Sequence, residues 1–107
     1  MNHIITVSMD AFGRITVDGL VYQYNHGHII QMDGFRLPDG WYLDLANSES
    51  GKAVSVRGSG NRAVLPDELL LTGNNVHCWL VSRTETEQFT KHHFVLHVIR
   101  RAELPER

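Results

Sequence analysis

Seven histidines occur among the 107 residues of this chain, and this high count raises the question of metal binding or catalysis. His26 and His28 are separated by a single glycine, so a regular strand would place both imidazoles on one face. They would then lie about 6.6 Å apart along the chain. Two imidazoles in this arrangement can share a zinc ion. His26 and His28 are therefore the candidate metal ligands of a hypothetical metal-dependent enzyme.

The other histidines are spaced less suitably for a shared metal. His92 and His93 would point to opposite faces of a strand, and His93 and His97 would lie about 13 Å apart. The His26–Gly27–His28 segment is similar to the cupin metal motif, but Met32 stands where that motif has a glutamate. We therefore expect no cofactor and no bound metal, with the histidines on solvated strand faces.

Catalytic arrangements of other kinds are incomplete in this sequence. It contains no Gly-x-Ser-x-Gly elbow, no phosphate-binding glycine loop before a helix and no zinc-finger spacing. Cys78 lies among apolar residues of a predicted strand, which favours a buried, unreactive thiol. We expect a protein without enzymatic activity.

Composition and charge are those of a small soluble protein. The chain is 42% hydrophobic and 21% charged, and its length fits one domain over residues 1–107. A net charge of −2 argues against nucleic-acid binding. A single cysteine excludes an internal disulfide. No apolar run reaches the length of a membrane span, and the first residues do not resemble a signal peptide, so we expect synthesis in a cytoplasm and no membrane contact.

Alternation of apolar and polar residues with a period of two dominates the chain and indicates β-strands. Turn signals recur about every ten residues, which is typical of an antiparallel β-sandwich or small barrel. Residues 1–19 would form N-terminal strands or an arm, and residues 102–107 a flexible tail. The predicted strands span residues 3–8, 13–18, 20–24, 26–32, 41–47, 53–57, 62–65, 75–83 and 88–101.

One segment, about 66–71, predicts a helical turn instead. Pro66 suits the first helical position, and Asp67 and Glu68 suit a helix N-terminus. Gly73 would provide the left-handed residue that ends the turn. The three leucines at 69–71 cannot all be exposed, so the turn is expected to close one end of the sandwich.

The last two long strands carry apolar residues on both faces. Phe94, Leu96 and Val98 would form the core face. An apolar second row is unexpected for a sheet with one solvated face. It indicates a thick core in which the N-terminal segment covers this row, or a protein–protein contact, and the two interpretations are not exclusive. The interface candidates are the two tryptophans and four other apolar or aromatic residues: Trp79, Val81, Val95, Ile99, Trp41 and Tyr42.

Three segments carry a resemblance to a known family: YQYNHGHIIQMDGFRLPDGWYLDLANS (22–48), AVLPDELLLTGNNVHCWLV (63–81) and FVLHVIRRAELP (94–105). The features that this chain has in common with the family are an aromatic-rich strand ending in Asn, a Pro-Asp-Glu-Leu-Leu turn closed by Gly, and a Trp-bearing strand. Over about residues 20–105 the chain resembles the N-terminal modules of head-fibre and baseplate-upper proteins. These belong to tailed phages and prophages of Gram-positive gut bacteria.

The resemblance implies an immunoglobulin-like β-sandwich that docks onto the virion without catalysis. It implies capsid, tail or baseplate proteins as partners, and assembly as a homo-oligomer, a trimer for example. The leading hypothesis is thus a structural protein of a phage virion. The alternatives are a carbohydrate-binding module, in which Trp41, Tyr42, Tyr22 or Tyr24 stacks on host surface glycans, and the metal enzyme at His26 and His28.

Overall fold

The structure is a computed structural model that describes residues 3–47, 53–83 and 88–102. These residues form β-strands and one short 3-10 helix. In chain order the elements are β1 (His3–Met9), β2 (Ile15–Asp18), β3 (Val21–Tyr22), β4 (His28–Asp33), β5 (Tyr42–Asn47), β6 (Val54–Arg57), β7 (Arg62–Val64), the 3-10 helix (Asp67–Leu70), β8 (Val76–Arg83), β9 (Gln88–Leu96) and β10 (Val98–Ile99).

The first sheet has the strand order β2-β1-β4-β7. The chain reverses between β1 and β2 at Asp10, whose Oδ1 accepts hydrogen bonds from the backbone N–H groups of Phe12 and Arg14 at 2.8 and 2.9 Å. The pairs β1–β2 and β4–β7 are antiparallel, whereas β1 and β4 run parallel. This parallel pair is possible because β2 and β3 lie between the two strands in the chain and carry it back to the starting end.

The second sheet has the order β6-β5-β8-β9 and is antiparallel throughout. Its central pair, β5 and β8, matches Tyr42 with Val81 and Asp44 with Trp79. Strand β8 in turn matches Trp79 with His93 of β9. The β8–β9 register shifts between Leu80 and Val81, which is a β-bulge.

The strand predicted over residues 88–101 is interrupted at His97. Beyond it, β10 leaves the second sheet and pairs in parallel with β3, matching Val98 with Val21 and Ile99 with Tyr22. At the break, the backbone N–H of Val98 donates to the side-chain Oδ1 of Asn75 at 3.1 Å, so a side chain replaces a partner of the strand ladder.

The core lies between the two four-stranded sheets and follows the predicted alternation. Val76, Cys78 and Leu80 of β8 are fully buried, and Phe94 and Leu96 of β9 pack with them. The remaining members of this buried cluster come from both sheets and the segments joining them: Ile5, Val7, Val21, Ile30, Met32, Trp41, Leu43, Leu45, Ala63, Leu65, Leu69, Leu70 and Val98.

The predicted helical turn is present as the 3-10 helix. Pro66 precedes it with extended backbone, so it is the capping residue rather than the first helical one. Gly73 has φ of +70° and follows the turn as predicted. Leu69 and Leu70 enter the core, whereas Leu71 is 57% exposed. Two of the three leucines therefore anchor the turn to the sandwich.

The predicted fold class, an immunoglobulin-like all-β sandwich with one short helical turn, is confirmed as an all-β sandwich with mainly antiparallel sheets. The N-terminal segment is part of the first sheet through β1 and β2. Most of the predicted tail, residues 103–107, lies outside the described residues. Within the described ranges, no helix is long and apolar enough to cross a membrane.

Candidate interaction surface

The outer face of the second sheet collects several of the residues singled out in the sequence. We call it the Trp79 face. Its members lie opposite one another in the strand registers and alternate with core residues along each strand. They are Tyr42, Asp44, Ala46, Ser55, Arg57, His77, Trp79, Val81, His93 and Val95.

Three rings form the centre of this face. Trp79 on β8 is partly exposed, and its ring centroid lies 5.3 Å from that of His93 and 6.0 Å from that of His77. The Nδ1 atom of His77 and the Nε2 atom of His93 are 3.1 Å apart. The arrangement follows from the registers, because His93 stands opposite Trp79, and His77 is the next outward residue on the same strand. The result is a continuous aromatic surface on two adjacent strands.

Polar groups border the three rings. The Ser55 hydroxyl donates to Oδ1 of Asp44 at 2.6 Å, beside Trp79 in the sheet. The Arg83 guanidinium lies over the ring of Tyr42, 5.1 Å from its centroid, which is a cation–π contact. An aromatic centre with a polar rim is the composition found at protein interfaces.

A groove of about 440 Å³ adjoins this face at the edge of the sandwich. It lies between β2 of the first sheet and β9 of the second, each the last strand of its sheet. His93 and Val95 line it from β9, and Ile15 and Val17 line it from β2. Each of these edge strands pairs on one side only within the described part of the chain. The Trp79 face therefore continues into a groove with free backbone edges.

The structure brings together only some of the predicted interface residues. Trp79, Val95 and Tyr42 lie on the Trp79 face and are partly exposed, as expected. Val81 also lies on that face, opposite Tyr42, but it is only 1% exposed. The prediction that Val81 is an accessible anchor is wrong, because neighbouring groups cover its side chain.

Trp41 is likewise not an accessible anchor, for either a protein or a sugar. It is 4% exposed, and its Nε1–H donates to the carbonyl oxygen of Gly60 at 3.0 Å. The absent side chain of Gly58 leaves room for the indole, since a Cβ there would overlap the ring. This tryptophan serves the core.

Ile99 is exposed but belongs to a different sheet from Trp79. The break at His97 places it on β10, opposite Tyr22 of β3. Tyr22, a predicted glycan contact, is exposed there as well. Tyr24 is partly exposed, with an unusual φ of +71°, and its backbone N–H donates to the carbonyl of Leu70 at 2.9 Å. The predicted glycan-contacting aromatics thus lie at separate places.

The predicted metal pair, His26 and His28, does not share a strand face. Gly27 has φ of +75°, and β4 begins only at His28, so the alternation does not extend back to His26. The side chain of His26 is 83% exposed and lies 3.9 Å from Asp67, whereas His28 is 2% exposed. Across the described residues, no group of three or more His, Cys, Asp or Glu side chains could hold a metal ion.

His28 is instead a core histidine. Its Nε2 lies 3.2 Å from the side-chain amide of Asn25, and its ring contacts that of His3 at 5.3 Å between centroids. Its buried Nδ1 has no hydrogen-bond partner among the described residues. Burial lowers the pKa of His28 below its ordinary value because the charged imidazolium loses its hydration. Cys78 is also buried as predicted, and burial raises the pKa of its thiol.

The sequence analysis missed one exposed apolar row. Ile4 of β1 stands opposite Ile29 of β4, and Ile29 stands opposite Val64 of β7 on the outer face of the first sheet. Ile4 and Val64 are exposed, and Ile29 is partly exposed. The alternation around each residue could have revealed the row, because all three occupy outward positions of their strands.

Comparison with known proteins gives no match to a family model, to a curated protein or to a solved structure. The resemblance to phage head-fibre and baseplate modules therefore remains a prediction from the sequence.

Proposed function

We propose that this chain is a non-catalytic β-sandwich that attaches to a phage particle by binding another protein through the Trp79 face. The observation that carries the binding role is the partly exposed indole of Trp79, which lies beside two imidazoles on an inner strand of a four-stranded sheet. Tryptophan is strongly enriched among residues that dominate binding energy at interfaces.

The partner is a capsid, tail or baseplate protein. The support for this class of partner is the ordered set of sequence features shared with phage modules, which includes the Pro-Asp-Glu-Leu-Leu turn at 66–70 and the Trp79 strand. The fold is compatible with that role, because a rigid sandwich with its core closed by the 3-10 helix offers a preformed surface. The chain would be synthesised in the host cytoplasm and incorporated into the virion, singly or as a homo-oligomer.

Mass spectrometry of purified phage particles tests the virion assignment. Particles are collected from the strain that encodes the chain, and heads and tails are separated before digestion. The proposal expects the chain in stoichiometric amounts in one fraction: heads for a decoration or head-fibre protein, tails for a baseplate or fibre connector. Absence from both fractions would overturn the virion assignment.

Carbohydrate binding is the second candidate function, and one observation favours it. The flat ring of Trp79 has hydrogen-bonding groups beside it, the carboxylate of Asp44 and the imidazole of His93. An aromatic platform flanked by polar groups can stack on a sugar ring and bond to its hydroxyls. A glycan array decides this point: saturable binding that is lost in Trp79→Ala supports it, and signals at background level exclude it for the glycans on the array.

A further inference from the structure

We propose that His77 and His93 form a binding site for one Zn²⁺ ion on the Trp79 face. The site is distinct from the pair at His26 and His28, whose side chains the fold separates. It also does not depend on the proposed protein contact, since both ligands come from this chain.

The strand registers bring the two imidazoles together. His77 stands opposite Val95 and Trp79 stands opposite His93, so His77 and His93 are diagonal neighbours on one face of an antiparallel pair. Long side chains reach each other across such a diagonal. The ring planes differ by only 10°, and the centroid separation of 5.3 Å is close to the 3.1 Å nitrogen distance plus the two ring radii. The rings therefore meet edge to edge, with nitrogen facing nitrogen.

The nitrogen separation suits two ligands of one metal ion. At a Zn–N distance of about 2.0–2.1 Å, two nitrogens are about 2.8–3.0 Å apart at a right angle and about 3.3–3.4 Å apart in a tetrahedron. The observed 3.1 Å between Nδ1 of His77 and Nε2 of His93 lies between these limits. A zinc ion bound to both nitrogens would lie off the line that joins them, so each ring must turn by about 40° to direct its lone pair at the ion.

Zinc would take the position of the hydrogen that lies between the two facing nitrogens. Without metal, one of the two facing nitrogens must carry a hydrogen for the pair to form a hydrogen bond, so at least one ring is neutral. When zinc binds, the donor ring holds its hydrogen on its other nitrogen, and both facing nitrogens offer lone pairs. The tautomer changes while the number of bound protons on two neutral rings stays the same.

The surroundings make the site open rather than closed. Trp79 lies beside both rings and shields one side from water. No third His, Cys, Asp or Glu completes a metal-binding group within the described ranges. Zinc in structural sites has four ligands, so two positions would be filled by water or by donor atoms of a bound partner.

Zinc titration of the full chain tests the proposal, followed by ¹H–¹⁵N correlation spectra that resolve each imidazole. The expected result is that the ring signals of His77 and His93 shift together and saturate at one equivalent, with the facing nitrogens in the metal-bound state. The other imidazole signals should stay in place. Binding should weaken as the pH falls, because protons compete for the ligand nitrogens.

Two variants and a control keep the test independent of folding. His93→Gln and His77→Asn should each weaken zinc binding by about tenfold or more, since either leaves a single imidazole. His93 is exposed, so its replacement should leave the fold intact. His26→Asn removes an exposed imidazole elsewhere and should leave the affinity unchanged. Zinc that shifts neither ring signal, or that binds His93→Gln as tightly as the wild type, would overturn the proposal.

Discussion

Trp79 of β8 and His93 of β9 lie directly opposite each other in the strand register, with ring centroids 5.3 Å apart. The two rings lie on the outer face of the second sheet. Trp79 stays partly exposed there, although β8 is paired with a strand on each side. The face is asymmetric, because His93 belongs to an edge strand and borders the groove against β2.

Truncating the Leu70 side chain in the 3-10 helix should destabilise the whole sandwich. Leu70 is fully buried in the core, so Leu70→Ala is expected to lower the free energy of unfolding by about 2–5 kcal/mol. Its neighbour Leu71 is exposed and offers a matched control, for which the change should stay within about 0.5 kcal/mol. Urea unfolding of both variants measures the difference. Equal effects would mean that the turn does not anchor to the core.

A methyl group at Gly58 should disturb the packing of Trp41. A Cβ at this position would overlap the indole ring, so Gly58→Ala must displace either the ring or the backbone. We expect a loss of about 1–3 kcal/mol in the free energy of unfolding and a changed near-ultraviolet circular dichroism signal. Ser59→Ala, at an exposed neighbouring position, is the control and should leave both quantities unchanged. A near-ultraviolet spectrum of Gly58→Ala identical to that of the wild type would contradict this account of the packing.

Acid should destabilise the fold through His28. Its pKa is lowered by burial in the folded state, so between the ordinary value of 6.5 and the lower folded value the unfolded chain binds more protons. Stability from this residue is therefore intact above about pH 6.5 and falls as the pH decreases toward the folded pKa. His3, which contacts the ring, and Asp67 are the other titratable groups that influence it.

Urea midpoints measured from pH 8 to pH 5 test this prediction. The His28→Gln variant should lose part of the acid dependence, whereas His26→Gln should retain it because His26 is exposed. A His28→Gln curve parallel to that of the wild type would show that His28 does not couple stability to pH.

The parts of the fold that depend on alternation could be predicted from the sequence. Leu43 and Leu45 point inward and Tyr42 and Asp44 outward, because a strand with one buried face imposes a period of two. The helical turn was predictable for a similar reason, since Pro66 and Gly73 restrict the backbone locally. These signals require only neighbouring residues.

Features that depend on distant segments could not be predicted. Trp41 is inaccessible because Gly58 and Gly60 pack against its indole, and Val81 is covered although its parity points outward. The break at His97 depends on the Asn75 side chain, more than twenty residues earlier, and it removes Ile99 from the Trp79 face. The parallel pairing of β1 with β4 likewise depends on strands that lie far apart in the chain. For the same reason the His77–His93 pair, on two different strands, was not recognised.

The central claim is that the Trp79 face binds a protein of the phage particle, and a binding measurement with purified virions tests it most directly. Virions that lack the chain are mixed with the wild type, with Trp79→Ala and with Phe12→Ala, and bound protein is quantified after sedimentation. Phe12 is an exposed aromatic residue at the β1–β2 turn and serves as the control. The account predicts that Trp79→Ala weakens binding by about thirtyfold or more, as for a dominant interface residue, while Phe12→Ala binds like the wild type. Equal binding of Trp79→Ala and the wild type would contradict it.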